Sequence, residues 1–372
     1  MDLTSRLEPV LTVARETART VDALPSYPAD TVTALRDSGL LGLTLPEEVG
    51  GLGGGPTELV EVISALASAC GSASMIYLMH VSAAMTVAAA PPPGSPDLLP
   101  SLADGRSLGT LAFSEAGSRS HFWAPVSRAQ ETGDGLRVDA TKSWVTSAGH
   151  ADVYVATTGS AAVAGGVDLF AFPAEVEKLT VTGQFHGLGL RGNASCPMSF
   201  EVDDAAPYAL GAPGGGFEIL LSTVMPWFNV GNAAVSVGLS QAATDAAVRH
   251  TSAAKLEHLD QSLSALPTIR AQLAKMSLDL ATTRAYVDQA ARRIASPQED
   301  TMLHVLGVKA AANDAALRIT DTAMRVCGGA AFSEHLQVDR FFRDARAGHV
   351  MAPTADVLYD FYGKAITGQP VF

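Results

Sequence analysis

The residues of this chain that could do chemistry fall into small groups, and spacing narrows each of them. Gly187-Leu188-Gly189-Leu190-Arg191-Gly192 has the G-x-G-x-x-G spacing that lets a backbone approach a pyrophosphate. Such a loop must follow a strand and open a helix, whereas Asn193 to Val202 read as the approach to a strand, so no dinucleotide loop is expected there. His250 and His258 have no third ligand nearby; they are expected on a solvated helix face, and no metal site is expected. Cys70, Cys196 and Cys327 are too few and too scattered for a disulfide framework or a zinc site, and they fit a reducing compartment. Asn193-Ala194-Ser195 is formally a glycosylation acceptor, but nothing places the chain in the secretory path. Neither a Gly-x-Ser-x-Gly elbow nor a closely spaced pair of acids points to a hydrolase.

The chain that must position any site has 372 residues, 47% of them hydrophobic, which is ample for a buried core and suggests two or three domains. A formal net charge of -13 without a Lys/Arg cluster makes nucleic acid an unlikely partner, since phosphate binding needs a basic face. The first residues show no basic region followed by an apolar run, so no signal peptide is read. The most apolar stretch, around Met75 to Ala90, contains His80, Ser82 and Thr86 and stops at Pro91-Pro92-Pro93; it reads as a buried helix that falls short of a membrane span. A soluble, cytoplasmic protein with no membrane partner is expected.

Three regimes follow one another. Up to about Leu102, apolar residues recur at helical spacing, as in Leu7, Val10, Leu11 and Ala14, then Val60, Ile63, Leu66 and Ala67. Pro46 and Gly50-Gly51-Leu52-Gly53-Gly54-Gly55 mark a turn, and Thr57 with Glu58 would start the next helix. From Ser107 to Leu210 the period drops to two in Leu136–Ala140, Val153–Thr157, Asp168–Phe172 and Met198–Val202, which predicts an antiparallel sandwich or barrel. From Phe217 to Ala365 the helical period returns. The expected α+β organisation is an N-terminal α-helical domain (1–106), a middle antiparallel β-domain (107–212) and a C-terminal α-helical bundle (213–372).

Five segments in order along the chain resemble the acyl-CoA dehydrogenase family. They are Gly42-Leu43-Thr44-Leu45-Pro46-Glu47-Glu48-Val49-Gly50-Gly51-Leu52-Gly53; Phe113-Ser114-Glu115-Ala116-Gly117-Ser118-Arg119-Ser120-His121; and Thr141-Lys142-Ser143-Trp144-Val145-Thr146-Ser147-Ala148-Gly149. The last two are Gly189-Leu190-Arg191-Gly192, and Cys327-Gly328-Gly329 followed by Val338-Asp339-Arg340-Phe341-Phe342-Arg343-Asp344-Ala345-Arg346. The resemblance implies an FAD flavoprotein acting on an acyl thioester, bound to CoA or to a carrier protein, and forming a homodimer or homotetramer.

A flavin needs hydrogen-bond donors aimed at the atoms where charge collects on reduction. By resemblance, Leu111, Phe113 and Ser114 lie along the ring, Trp144 covers one face, Thr146 reaches the O4/N5 edge and Thr354 touches the flavin. The bland reading of Trp144 is a core indole. Gly328 and Gly329 would let one subunit's backbone approach the dinucleotide of its neighbour; the bland reading is a helix C-cap. Arg325 stands in place of a glutamine and supplies a cation for the diphosphate. The family's R-x-x-F becomes Lys255-Leu256-Glu257-His258. Ser120 is expected on the carrier arm.

The departures concern the base. Members of the family take the substrate α-proton with a glutamate whose position here holds Ala352; the alternative base position holds Phe228, and the arginine that follows it is Asn229, beside the substrate. Loss of a general base costs on the order of 10²–10⁴ in rate. His349 and Asp356 are the nearest titratable candidates, and the bland reading of His349 is packing at a helix end. Ordinary α,β-desaturation is therefore in doubt. The alternatives are a flavin-dependent monooxygenase, a redox-neutral ring-forming enzyme on the same scaffold, and a non-catalytic subunit of a hetero-oligomer. Trp227 and Phe228 suggest a cavity smaller than a long acyl tail needs, with core packing as the bland alternative.

Overall fold

Helix α1, Leu3–Ala23, starts where Asp2 Oδ1 accepts the Ser5 amide at 3.1 Å, and it buries Leu3, Leu7, Val10, Leu11, Ala14, Ala18 and Val21 along one stripe. The computed structural model describes residues 2–119, 121–133 and 135–372. After α2 (Ala29–Asp37), helix α3 (Pro56–Ala69) opens with proline in its first turn, and Glu58 Oε2 accepts the Gly55 amide at 2.9 Å. The N-cap is thus Gly55, ahead of the expected start at Thr57. Helix α4, Gly71–Ala89, is buried on almost every side. Against expectation it is long and apolar enough to cross a membrane, yet 83% of its apolar window is buried inside the protein. Helix α5, Leu98–Ala103, closes this part.

Eight strands follow: β1 (Gly109–Ala112), β2 (Gln130–Thr132), β3 (Gly135–Val145), β4 (Val153–Gly159), β5 (Val167–Pro173), β6 (Leu179–Val181), β7 (Cys196–Val202) and β8 (Ala209–Leu210). They make two four-stranded sheets, ordered β1-β4-β5-β8 and β2-β3-β7-β6. One pairing departs from the antiparallel expectation: β1 and β4 run parallel. The chain leaves β1, builds β2 and β3 in the other sheet, and only then returns, which is the long crossover a parallel pair needs. Alternation decides which core each side chain joins. Tyr154, Phe170, Phe172 and Phe200 pack between the sheets, while Val153, Val155, Leu169 and Ala171 face the helical core. The first sheet is therefore covered on both faces.

The bundle begins with α6 (Gly216–Ile219) and a π-helical turn (Leu220–Val224) that runs into α7 (Met225–Ala253). Pro226 has no amide hydrogen to offer four residues back, and the π turn stands where that bond would fall. A short hairpin spans residues 255–262, and then come α8 (Pro267–Ala295), α9 (Thr301–Cys327), α10 (Val338–Val350) and α11 (Ala355–Ile366). Helix α7 packs against α9, α3 and α10. The junction of the first helices with β1 is pinned by His80 of α4, whose Nε2 meets the Leu41 carbonyl at 2.9 Å and whose Nδ1 accepts the Gly109 amide at 3.0 Å. With both nitrogens so used the ring is neutral, and burial pulls its pKa down to about 4.

Candidate functional site

Two groups of side chains carry the expected chemistry, one on the β-domain and one in the bundle. On the β-domain, Leu111 and Phe113 are buried, Ser114 is half-buried and Thr146 is buried. Two hydrogen bonds draw the ends of β1 and β3 together: Ser143 N–H to the Ser114 carbonyl at 2.8 Å, and Thr110 Oγ1 to the Thr146 carbonyl at 2.7 Å. The Thr146 hydroxyl lies 3.2 Å from Ser195 Oγ. The register of β3 slips between Lys142 and Val145, and this bulge turns Trp144 outward, leaving the indole 63% exposed. That overturns the core-indole reading. A flat apolar ring held out beside a buried hydroxyl suits a planar ligand.

What holds this edge in place is a pair that the motifs contain but that spacing did not single out. Lys142 Nζ lies 2.6 Å from Glu115 Oε1 and gives a second bond to the Thr157 carbonyl at 2.6 Å. Glu115 Oε2 also accepts the amides of Val126 and Ser127, at 2.5 and 2.8 Å, and Oε1 takes the Ser127 hydroxyl. Burial alone would raise the Glu115 carboxyl; the Lys142 ammonium and the Ser127 donors more than offset that and hold it low.

In the bundle, Ala352 sits half-buried in the turn between α10 and α11, and Thr354 stands at the N-cap position of α11. Phe228 is buried on α7 beside Asn229, which is fully buried and gives Nδ2 to the Val305 carbonyl at 2.9 Å; Trp227 is partly buried. The turn is gripped from behind by Lys309 of α9, which spacing also did not single out. Its Nζ reaches the carbonyls of Gly348, Met351 and Pro353 at 2.8, 3.0 and 2.8 Å. Burial by itself pulls this amine down to about 7. Three carbonyl acceptors, however, require all three N–H groups of the ammonium, and a neutral amine has only two, so the geometry assigns the charged form. A Lys inside the apolar run Val305–Ala312 is the signal that could have flagged it.

The candidate bases fare differently. His349, which nothing in the sequence orients, is oriented after all: its Nε2 lies 3.2 Å from Asp314 Oδ1, and Asp314 Oδ2 accepts the Tyr359 hydroxyl at 2.6 Å. The imidazole is thereby directed toward Asp314 of α9, which also holds Tyr359 of α11. Asp356 lies exposed in the first turn of α11. Arg325 and Gly328–Gly329 lie exposed at the C-terminal end of α9, where a Cβ on either glycine would meet open space. Ser120 lies outside the described residues.

The glycine loop has a structural role. The Leu190 amide bonds Asp344 Oδ1 at 2.6 Å, and a Cβ on Gly189 would stand 2.5 Å from the Arg343 carbonyl, so only glycine permits the approach. Burial pushes the Asp344 carboxyl up to about 6. The fourth and fifth motifs thus meet in space and lock α10 to the β-domain.

Comparison with known proteins agrees with this architecture. The models for the acyl-CoA dehydrogenase N-terminal, middle and C-terminal domains match residues 10–106, 110–202 and 214–367. The probable acyl-CoA dehydrogenase FadE25 of Mycobacterium tuberculosis is 29% identical over 350 residues, covering 91% of this chain and 88% of the relative. Butyryl-CoA dehydrogenase from Megasphaera elsdenii superposes with a TM-score of 0.89 at 22% identity over 99% of this chain and 98% of that one. An FAD complex of PigA does so with a TM-score of 0.89 at 17% identity over 98% and 97%. From the three domain matches, which together span most of its length, the chain belongs to the acyl-CoA dehydrogenase family.

Proposed function

We propose that this protein binds FAD and acts on an acyl thioester, carried by CoA or a carrier protein, without a carboxylate base. The residues present fit the cofactor. Trp144 offers an outward aromatic face, Leu111 and Phe113 an apolar flank, and Ser114 and Thr146 hydroxyl donors at its edge; Thr354 is the bundle's contribution in this reading. Arg325, Gly328 and Gly329 leave room and a cation for a dinucleotide at the end of α9, and a neighbouring subunit is the source of that dinucleotide in a homodimer or homotetramer. Bound there, FAD would supply a two-electron acceptor.

The observation that carries the reading is that both base positions are apolar, Ala352 and Phe228, while no nearby titratable group stands ready to replace the base. Lys309 spends its three N–H groups on carbonyls, His349 is bound to Asp314, and Asp356 faces solvent. The chain's residues can therefore orient the thioester and exclude water, but the α-proton must leave by another route or stay.

The test is the visible spectrum of the purified protein with FAD, followed by assay of butanoyl-CoA desaturation with an artificial acceptor. Retained flavin, and a gain on the order of 10²–10⁴ in desaturation rate on Ala352→Glu, is expected. A protein that takes up no FAD overturns the reading. So does a wild-type desaturase whose rate Ala352→Glu leaves unchanged.

A further inference from the structure

The turn that carries Ala352 is backed by a patch of buried amides that a hydrocarbon would leave unsatisfied. Asn229, Asn232 and Asn313 are all fully buried. Because Asn229 gives its Nδ2 to Val305, its amide orientation is fixed and its Oδ1 is left without a partner in the protein. Asn232, one helical turn further along α7, also leaves Oδ1 unpaired, and its Nδ2 meets only the Met351 sulfur, at 4.0 Å. Asn313 of α9 accepts the Ser236 hydroxyl at 2.7 Å and leaves Nδ2 unpaired. A Cβ on Gly348 would stand 2.7 Å from Asn313 Oδ1 and 3.1 Å from Asn232 Oδ1, so these two amides face one point near the end of α10, just before the turn.

An unpaired buried polar group is costly, and Asn232 and Asn313, which face the same residue, each leave one. The patch adjoins both base positions: Asn229 and Asn232 follow Phe228 on α7, and Met351 precedes Ala352. We propose that the acyl group bound here carries a hydroxyl, which donates to an asparagine Oδ1 and accepts from Asn313 Nδ2. This rests on the acyl-thioester reading above and adds the substrate class. A hydroxyl can donate to one of the unpaired Oδ1 atoms and accept from Asn313 Nδ2; a methyl group can do neither. An ammonium group is disfavoured, because it has no acceptor for Asn313 Nδ2 and because the Lys309 charge is fixed on the same turn. Sites built to pair a substrate hydroxyl reject the analogue lacking it far more strongly than apolar pockets reject an added one.

The experiment uses the FAD-loaded protein under anaerobic titration calorimetry with matched thioesters. The pairs are 3-hydroxypropanoyl-CoA against butanoyl-CoA and 4-hydroxybutanoyl-CoA against pentanoyl-CoA, with 3-aminopropanoyl-CoA as the charged control. At least tenfold tighter binding of the hydroxyl member in one pair is expected, with no gain for the amine. Asn232→Leu is expected to bring that ratio within about twofold, and Asn232→Ser to keep most of it. Equal binding within both pairs, as when solvent alone satisfies the amides, overturns the inference while leaving the acyl-thioester reading intact. Binding of none of the five thioesters overturns both.

Discussion

Lys142 in the β-domain and Lys309 in the bundle are both fully buried, yet their charges are met in opposite ways. Lys142 faces a carboxylate, Glu115, which is itself held by backbone amides and a serine. Lys309 faces no carboxylate; three carbonyls at the end of α10 and in the turn beyond it receive its hydrogens, where the helix dipole already favours a cation. Strands offer side chains across a sheet, so a partner can come from another strand or loop. A helix end offers only its own orphan carbonyls. The first arrangement can be altered by changing two residues together, whereas the second is tied to the backbone of the turn that carries Ala352.

The largest effect should come from breaking the ion pair on one side. Lys142→Met leaves Glu115 buried and unbalanced, and a loss of about 3–5 kcal/mol in denaturant unfolding is expected. The double variant Glu115→Gln/Lys142→Met should cost less than Lys142→Met alone, and a larger loss would deny the pairing. His80 tests a third solution, a buried base kept neutral. Its folded pKa of about 4 lies below the ordinary 6.5, so its contribution is complete above 6.5 and is lost as pH falls toward 4, amounting to about 3 kcal/mol. The difference in stability between the wild type and His80→Asn should shrink across that window. Asp344, with its raised value of about 6, acts in the opposite sense but is common to both proteins and cancels.

Lys309→Met should cost about 1–3 kcal/mol, with no single side-chain change able to rescue it, because its partners are main chain. The stability difference from wild type should stay flat between pH 7 and 9; a rise across that range would mean a neutral amine in place of the ammonium. The smallest effect belongs to the exposed surface. Arg318 reaches both Asp279 oxygens, at 3.0 and 2.9 Å, yet Arg318→Ala should cost under about 1 kcal/mol and less still at high salt.

Much of this molecule is legible in its sequence because periodicity and motif spacing are local. The helical stripe of Leu7, Val10, Leu11 and Ala14, and the alternation of Val153–Thr157, need no knowledge of what lies opposite. That Ala352 and Phe228 stand where the resemblance would expect a base is likewise read from the motifs along the chain. The parallel pairing of β1 with β4 is not so readable, because alternation records which face is buried and not which strand lies alongside. Trp144 illustrates the same limit: its motif is plain, but whether the indole points inward depends on a bulge.

The sequence by itself determined the order of helices, sheets and helices and the family, and it puts Ala352 and Phe228 where the resemblance would expect a carboxylate. These are properties of neighbouring residues. Only the tertiary structure decided that Lys309 grips the turn, that His349 is bound by Asp314, and that Asn232 and Asn313 meet at Gly348. Each of those contacts joins groups tens of residues apart in the chain, and their hydrogen bonds exist only once packing has removed the water that would otherwise satisfy them.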